Sequence, residues 1–143
     1  ELRERALRLL ARREHSRVEL ARKLEQAGFV ASDIHSLLDE FEKKNWLSDR
    51  RFAESYVADH RARSGSIKLA YELRQRGVPN SIVEAMLNEN RSSELARARE
   101  IWQRKFNLPP ASAAEKAKQM RFLQGRGFTV DTIHQILADV DSD

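Results

Sequence analysis

The chain has 143 residues, 41% of them hydrophobic and 34% charged, with a formal net charge of +4. That is enough apolar material to close a core, so a disordered tail is excluded, and the scarcity of glycine (5) and proline (3) argues against a turn-rich all-β fold. The absence of cysteine excludes disulfides, cysteine zinc sites and thiol catalysis.

No apolar run approaches the roughly 20 residues of a membrane helix, and no secretory leader pattern is visible. A soluble, cytoplasmic protein without membrane contact is the expectation. The mild basicity is compatible with a nucleic-acid partner without requiring one.

Gly28, Gly77 and Gly127 recur at a nearly constant period of about 50 residues, and the flanking residues recur with them. Leu24, Leu73 and Leu123 precede the glycines by one helical turn. Phe29, Val78 and Phe128 follow directly. Ile34, Val83 and Ile133 come next, then Leu37-Leu38, Met86-Leu87 and Ile136-Leu137. These columns predict an all-α fold: an elongated array of three tandem three-helix repeats, at 1–47, 48–91 and 92–143. Nine short helices and no strand are expected, and stacking of neighbours supplies the burial that three short helices lack alone.

In chain order, repeat 1 carries Ala6, Leu7 and Leu10, then Leu20 and Leu24, then Ile34, Leu37, Leu38 and Phe41 as its three helical stripes. Repeat 2 opens at Ser48, a plausible N-cap. Phe52, Ala53, Tyr56 and Val57 follow as a stripe that ends at Ser64-Gly65-Ser66. Its second helix runs from about Ile67 to Arg76 with Leu69, Ala70 and Leu73 inward. Gly77 fits a left-handed C′ position, and Val78-Pro79-Asn80 starts the third helix. Repeat 3 uses Leu95, Ala98, Ile101 and Trp102, then, past Pro109-Pro110, Met120 and Leu123, then Ile133, Ile136 and Leu137. Gly28, Gly77 and Gly127 are assigned structural roles.

Charge sorts by helix rather than by repeat. The second helices are basic: Arg17, Arg22 and Lys23, then Lys68, Arg74 and Arg76, then Lys116, Lys118, Arg121 and Arg126. The third helices are acidic: Asp33, Asp39, Glu40 and Glu42, then Glu84 and Glu89, then Asp131, Asp139, Asp141 and Asp143. Solvated helix faces are the plain explanation; the repetition of sign favours one basic and one acidic face. In the glycine register Glu19 aligns with Lys68 and Lys118, and Ala27 with Arg76 and Arg126, so repeats 2 and 3 are the more basic. The contact stripe is therefore placed on Lys68, Tyr71, Arg74, Arg76, Lys118, Arg121 and Arg126. Arg61 and Arg63 extend the basic ground, as do Arg97, Arg99, Arg104 and Lys105. Tyr71 lies opposite the apolar stripe of its helix, where it would stack on bases, anchor a protein interface, or pack against the preceding helix. Reversal of Arg76 and Arg126 is expected to leave stability nearly unchanged.

No phosphate-binding glycine loop, zinc motif or convergent carboxylate set is present, and His35 and His134 occupy a surface register position. Neither enzymatic activity nor a cofactor or metal is expected. A stand-alone, non-sequence-specific DNA-binding protein and a plain helical scaffold are the rival readings. Acidic third helices disfavour reading of a duplex operator, because a recognition helix in the major groove faces phosphate repulsion.

Leu47-Ser48-Asp49-Arg50-Arg51-Phe52-Ala53, followed by Tyr56, Arg61, Gly65 and Glu72-Leu73-Arg74-Gln75-Arg76-Gly77-Val78, resembles the central signature of the RecX family of bacterial recombination regulators. His15-Ser16, Glu19-Leu20, Lys23-Leu24 and Gly28 are similar to that family's first repeat. Gln119-Met120-Arg121-Phe122-Leu123 with Arg126-Gly127-Phe128 is similar to its last. Ser66-Ile67 departs from the family, which often has proline after this glycine. The resemblance implies a non-enzymatic protein that binds the RecA filament on DNA, lies in its groove and blocks ATP hydrolysis, strand exchange and filament extension; a monomer is expected. It also implies direct DNA binding for some members; the basic stripe without a basic recognition helix makes weak, non-specific binding to single- and double-stranded DNA the expectation.

Overall fold

The structure, a computed structural model, describes residues 1–141; Asp143, one of the third-helix acids, lies outside them. The described residues form eight helices and no strand: α1 (Leu2–Arg12), α2 (Arg17–Gln26), α3 (Ala31–Lys43), α4 (Asp49–His60), α5 (Ser66–Gln75), α6 (Asn80–Lys105), α7 (Ala113–Gly125) and α8 (Val130–Asp141). The expected nine become eight because the third helix of repeat 2 and the first of repeat 3 are one 26-residue helix, α6. No glycine or proline interrupts residues 80–105. Nor does Ser92-Ser93 act as a cap. The Ser93 hydroxyl donates back to the Asn90 carbonyl at 3.1 Å, and Asn90 Nδ2 donates to the Met86 carbonyl at 2.8 Å, so both polar side chains bond back along the helix across the repeat boundary.

The chain divides into two compact units. Unit 1 is Glu1–Tyr56 with Leu73–Val83; unit 2 is Val57–Glu72 with the chain from Glu84 onward. The main core of unit 1 gathers Ala6, Leu20, Leu24, Ile34, Leu38 and Phe41 from α1, α2 and α3. That of unit 2 gathers Ala98, Trp102, Leu123, Phe128, Ile133, Ile136 and Leu137 from α6, α7, α8 and the turn between the last two. Each fully buried large side chain contributes about 1.5–3 kcal/mol. The columns of the repeat are therefore core positions; Phe29 and Leu87 alone among those named are only partly buried.

The glycine register has a local cause. Gly28, Gly77 and Gly127 have φ of +96°, +80° and +90°. In each turn the residue after the glycine donates its N–H to the leucine four before it: Phe29 to Leu24 (3.2 Å), Val78 to Leu73 (3.1 Å), Phe128 to Leu123 (3.3 Å). The glycine N–H bonds one turn back as well, completing three equivalent Schellman motifs. The apolar pairs that recur in sequence are the hydrophobic contact belonging to this motif.

Two of the three turns do more. In unit 1 a Cβ on Gly77 would collide with the Cβ of Val18 in α2. Ser16 Oγ donates to the Arg76 carbonyl at 2.5 Å, and the Arg17 N–H donates to Asp49 Oδ1 at 2.9 Å. Burial holds the Asp49 carboxyl above its usual range, and the Arg17 N–H offsets this only in part. In unit 2 the same joint is built from equivalent positions. A Cβ on Gly127 would meet the Cβ of Lys68 and fall 2.7 Å from its nitrogen. Gly65 N–H donates to the Arg126 carbonyl (2.8 Å), Ile67 N–H to the Gly127 carbonyl (2.9 Å), and Ser66 N–H to Glu94 Oε1 (2.7 Å). A carboxylate from the next repeat thus accepts from the first turn of a second helix, a contact of about 0.5–2 kcal/mol. Proline at position 66 would lack that donor, so serine here makes a bond that proline could not.

His15 is also buried at the start of α2. The Lys23 ammonium can only donate, so His15 Nε2, 2.9 Å away, accepts, and Nδ1–H donates to the Arg13 carbonyl at 3.0 Å. Burial, aided by the charges of Arg13 and Lys23 and opposed by the Arg13 carbonyl and Glu19, holds the imidazole below its usual 6.5.

Two outcomes follow. Gly28→Ala meets only the positive φ, since nothing lies within 4 Å of a Cβ there, and should cost about 1–2 kcal/mol. Gly77→Ala adds the collision with Val18 and should cost at least about 1 kcal/mol more in urea unfolding; equal costs would contradict the joint. For His15, the native state binds its proton less readily than the unfolded chain. Stability should be full above about pH 6.5 and fall as pH drops toward the lower native value. Melting temperature should decline between about pH 7 and pH 5, and His15→Gln should flatten that slope. An unchanged slope would contradict the assignment.

Candidate functional site

In unit 1 three of the third-helix acids, Asp39, Glu40 and Glu42, are paired inside the unit, and of the second-helix cations Arg17 is drawn onto them. Arg17 Nη1 of α2 lies 2.7 Å from Asp39 and 2.5 Å from Glu42, both on α3. Arg3 and Lys44 share Glu40 at 2.7 and 2.9 Å, and their hydrogen bonds, Arg3 first, hold that carboxyl down to about 2. Arg13 pairs with Glu19 (3.0 Å) and Arg51 with Glu14 (2.9 Å).

Unit 2 keeps cations without acidic partners. The register of α7 is fixed from inside: buried Gln119 accepts from Trp102 Nε1 at 2.8 Å and donates to the Leu108 carbonyl at 3.1 Å. This polar key locks α7 against α6 and leaves Lys118 on one side with Arg121 and Phe122, three and four residues further on. Lys118 and Arg121 are exposed and make no ion pair among the described residues.

Beside them, Arg63, Arg104, Lys105 and Arg126 line a cleft of about 190 Å³ with Ala62, Ile101 and Phe122. Lys105 Nζ lies 5.6 Å and Arg126 Cζ 5.2 Å from the Phe122 ring centroid, and Phe106 meets that ring edge-on at 5.4 Å. Arg126 Nη1 also donates to the Arg63 carbonyl at 3.1 Å. Arg104 is shared with Glu100 at 2.6 Å. Four of the residues singled out in sequence are thus brought together. Phe122, which organises two of them, was visible only as part of the family resemblance.

The other candidates fall elsewhere. Arg61 is exposed and donates to Asn90 Oδ1 at 3.2 Å. Lys68 and Tyr71 are exposed on α5 of unit 2, where Ile67 (57% exposed) and Tyr71 (62% exposed) form an apolar pair one turn apart. Tyr71 is thus largely open to solvent, which does not favour its packing against the preceding helix. In unit 1, exposed Arg74 donates to Asn80 Oδ1 at 2.9 Å, while half-buried Arg76 lies over the Tyr56 ring at 4.6 Å. Two expectations are corrected. Arg97 and Arg99 are not open basic ground: Arg97 clamps the carbonyls of Arg61 (3.0 Å) and Ser64 (3.1 Å), with burial lowering its pKa, and Arg99 pairs with Asp139 at 2.5 Å. Nor can Arg76 and Arg126 be reversed without touching packed groups, since each rests on an aromatic ring.

Among the described residues no group of acids and histidines could hold a metal, and no helix is long and apolar enough to cross a membrane. Three family models match in tandem: the first, second and third three-helix domains of RecX, over residues 3–41, 48–87 and 92–137. The regulatory protein RecX of Chromobacterium violaceum is 44% identical over 137 residues, covering 96% of this chain and 89% of that protein. That of Ralstonia nicotianae is 41% identical over 141 residues, covering 99% and 89%. The crystal structure of RecX from Lactobacillus salivarius superposes with a TM-score of 0.86 at 20% identity, covering 98% of this chain and 94% of that one, which shows the shared fold. Matching models along nearly the whole length, together with relatives above 40% identity, establish that the chain belongs to the RecX family.

Proposed function

We propose that this chain is a non-enzymatic regulator that binds the RecA filament on DNA and inhibits its ATPase and strand-exchange activity. It would act in the cytoplasm as a monomer built of repeats 1–47, 48–91 and 92–143. Membership of a family whose relatives are named regulatory proteins supports the regulatory role. The observation that carries the contact surface is the set of exposed, unpaired cations in unit 2, Lys118 and Arg121 above all, on helices whose neighbours supply no acid to neutralise them. Ile67 and Tyr71 on α5 offer the kind of exposed apolar anchor that protein partners use.

A stand-alone DNA-binding role is the second reading, favoured by the cationic cleft. Reading of a duplex sequence by the third helices is disfavoured. Asp33, Glu84 and Asp131 remain exposed on α3, α6 and α8 and would face phosphates in a groove.

RecA ATPase on single-stranded DNA separates the two readings. The regulator lowers the rate at DNA concentrations that saturate RecA; a mere DNA competitor loses its effect when DNA is in excess. Lys118→Glu with Arg121→Glu should abolish most inhibition while changing stability by under about 1 kcal/mol, as both side chains are exposed. Arg22→Glu in unit 1 is the control. Full inhibition by the double reversal, or greater damage from the control, would contradict the placement. Direct binding to duplex DNA, if about four phosphates are contacted, should weaken with salt at a log–log slope of about −3 to −4 and show no sequence preference. A flat response to salt would count against it.

A further inference from the structure

We infer that the cleft of unit 2 at Phe122 is a phosphodiester-binding site, and that its aromatic ring serves to seat cations and not to stack a base. The inference rests on the nucleic-acid half of the function proposed above and gives it a location.

The lining is one-sided in charge: Arg63, Arg104, Lys105 and Arg126, with no carboxylate among the lining residues. Among the described residues the one carboxylate paired with a lining cation is Glu100, which shares Arg104. Lys105 and Arg126 already occupy positions over the Phe122 ring, at 5.6 and 5.2 Å, and Phe106 takes its edge. Two cations and a second aromatic ring thus already crowd the ring. What the ring provides is preorganisation. A cation held over an aromatic face loses less side-chain freedom when an anion arrives. The Arg126 bond to the Arg63 carbonyl and the Arg97 clamp on the Arg61 and Ser64 carbonyls hold the turn that carries Arg63. The Gln119 key holds the helix that carries Phe122. A strand's backbone entering here would meet cations from three segments, and would leave the cleft along α7 past Arg121 and Lys118.

The test uses DNA alone, without RecA, so it fails or succeeds independently of filament regulation. Fluorescence anisotropy of a labelled oligo(dT) is followed against salt for the parent chain, for Arg63→Gln with Lys105→Gln, and for Arg8→Gln with Arg12→Gln. The last pair lies on α1 and removes the same formal charge from exposed positions outside the cleft. The cleft pair should weaken binding roughly tenfold at low salt and make the log–log slope shallower by about 1.4, the value for two lost contacts on a single strand. The α1 pair should change neither by a comparable amount. Phe122→Leu keeps every charge, so it should lower affinity several-fold at an unchanged slope. Should that variant unfold, the glutamine pair still decides. Equal losses from the two glutamine pairs would overturn the site while leaving DNA binding itself intact. Displacement of the oligonucleotide by inorganic phosphate beyond that caused by chloride at matched ionic strength would also overturn it, because the cleft would then be a pocket for a discrete ion. If the parent chain binds no DNA, the site falls too, and ATPase inhibition alone reports whether the regulatory reading survives.

Discussion

A glycine turn laid against the first turn of an earlier helix is the contact on which the rest of this structure depends. The Schellman motif needs a left-handed residue, and the approach of Val18 or Lys68 from the earlier helix leaves no room for a Cβ. Gly77 and Gly127 satisfy both demands together. The carbonyl before each glycine then accepts a hydrogen bond from the segment that opens α2 or α5, and a carboxylate of the following repeat, Asp49 or Glu94, accepts from the first N–H of the same helix. Buried Ala53 and Ala98 each stand one turn beyond that acid, which makes the two joints copies of one design.

The same comparison shows where the repetition stops. Buried Ala6 aligns with Ala53 and Ala98, yet Leu2 stands where they have Asp49 and Glu94, so α1 carries no carboxylate for another helix. Nothing lies within 4 Å of a Cβ at Gly28. At the other end α7 caps itself: Ser112 Oγ accepts from the Glu115 N–H at 3.1 Å, and Glu115 Oε2 accepts from the Ala111 N–H at 2.6 Å. The carboxylate acceptor is therefore missing from α1, and the donors that open α7 are consumed by its own Ser112 and Glu115.

Sequence made the glycine register, the core columns and the basic character of the second helices legible, because each is written in local demands: positive φ, helical periodicity, charge. It misplaced what depends on tertiary direction. The repeat period places a helix break at 91/92, but the fold carries one helix through it, with the Ser93 hydroxyl bonding back to Asn90. Arg17 reads as part of a basic face, and only packing brings it onto Asp39 and Glu42. Arg76 and Arg126 sit where a helix turns over into its glycine, so their side chains fold back onto Tyr56 and Phe122 while the helical spacing places them with the exposed cations. Within the predicted stripe, Lys118 and Arg121 retain the open position the sequence assigned them. The cleft around Phe122 needed the fold to bring residue 63 beside 104, 105 and 126.

The central claim is that unpaired charge, rather than charge as such, marks the working surface: unit 1 sets Arg3, Arg13, Arg17, Lys44, Arg50 and Arg51 against its own acids, whereas in unit 2, among the described residues, Arg99 and Arg104 are so paired and Lys118 and Arg121 are not. Hydrogen–deuterium exchange of the chain, free and bound to RecA filaments on single-stranded DNA, tests this directly. The account predicts new protection over residues 61–71, the end of α6 and α7, with α1 and α3 unchanged. Protection confined to α1 and α3 would contradict it.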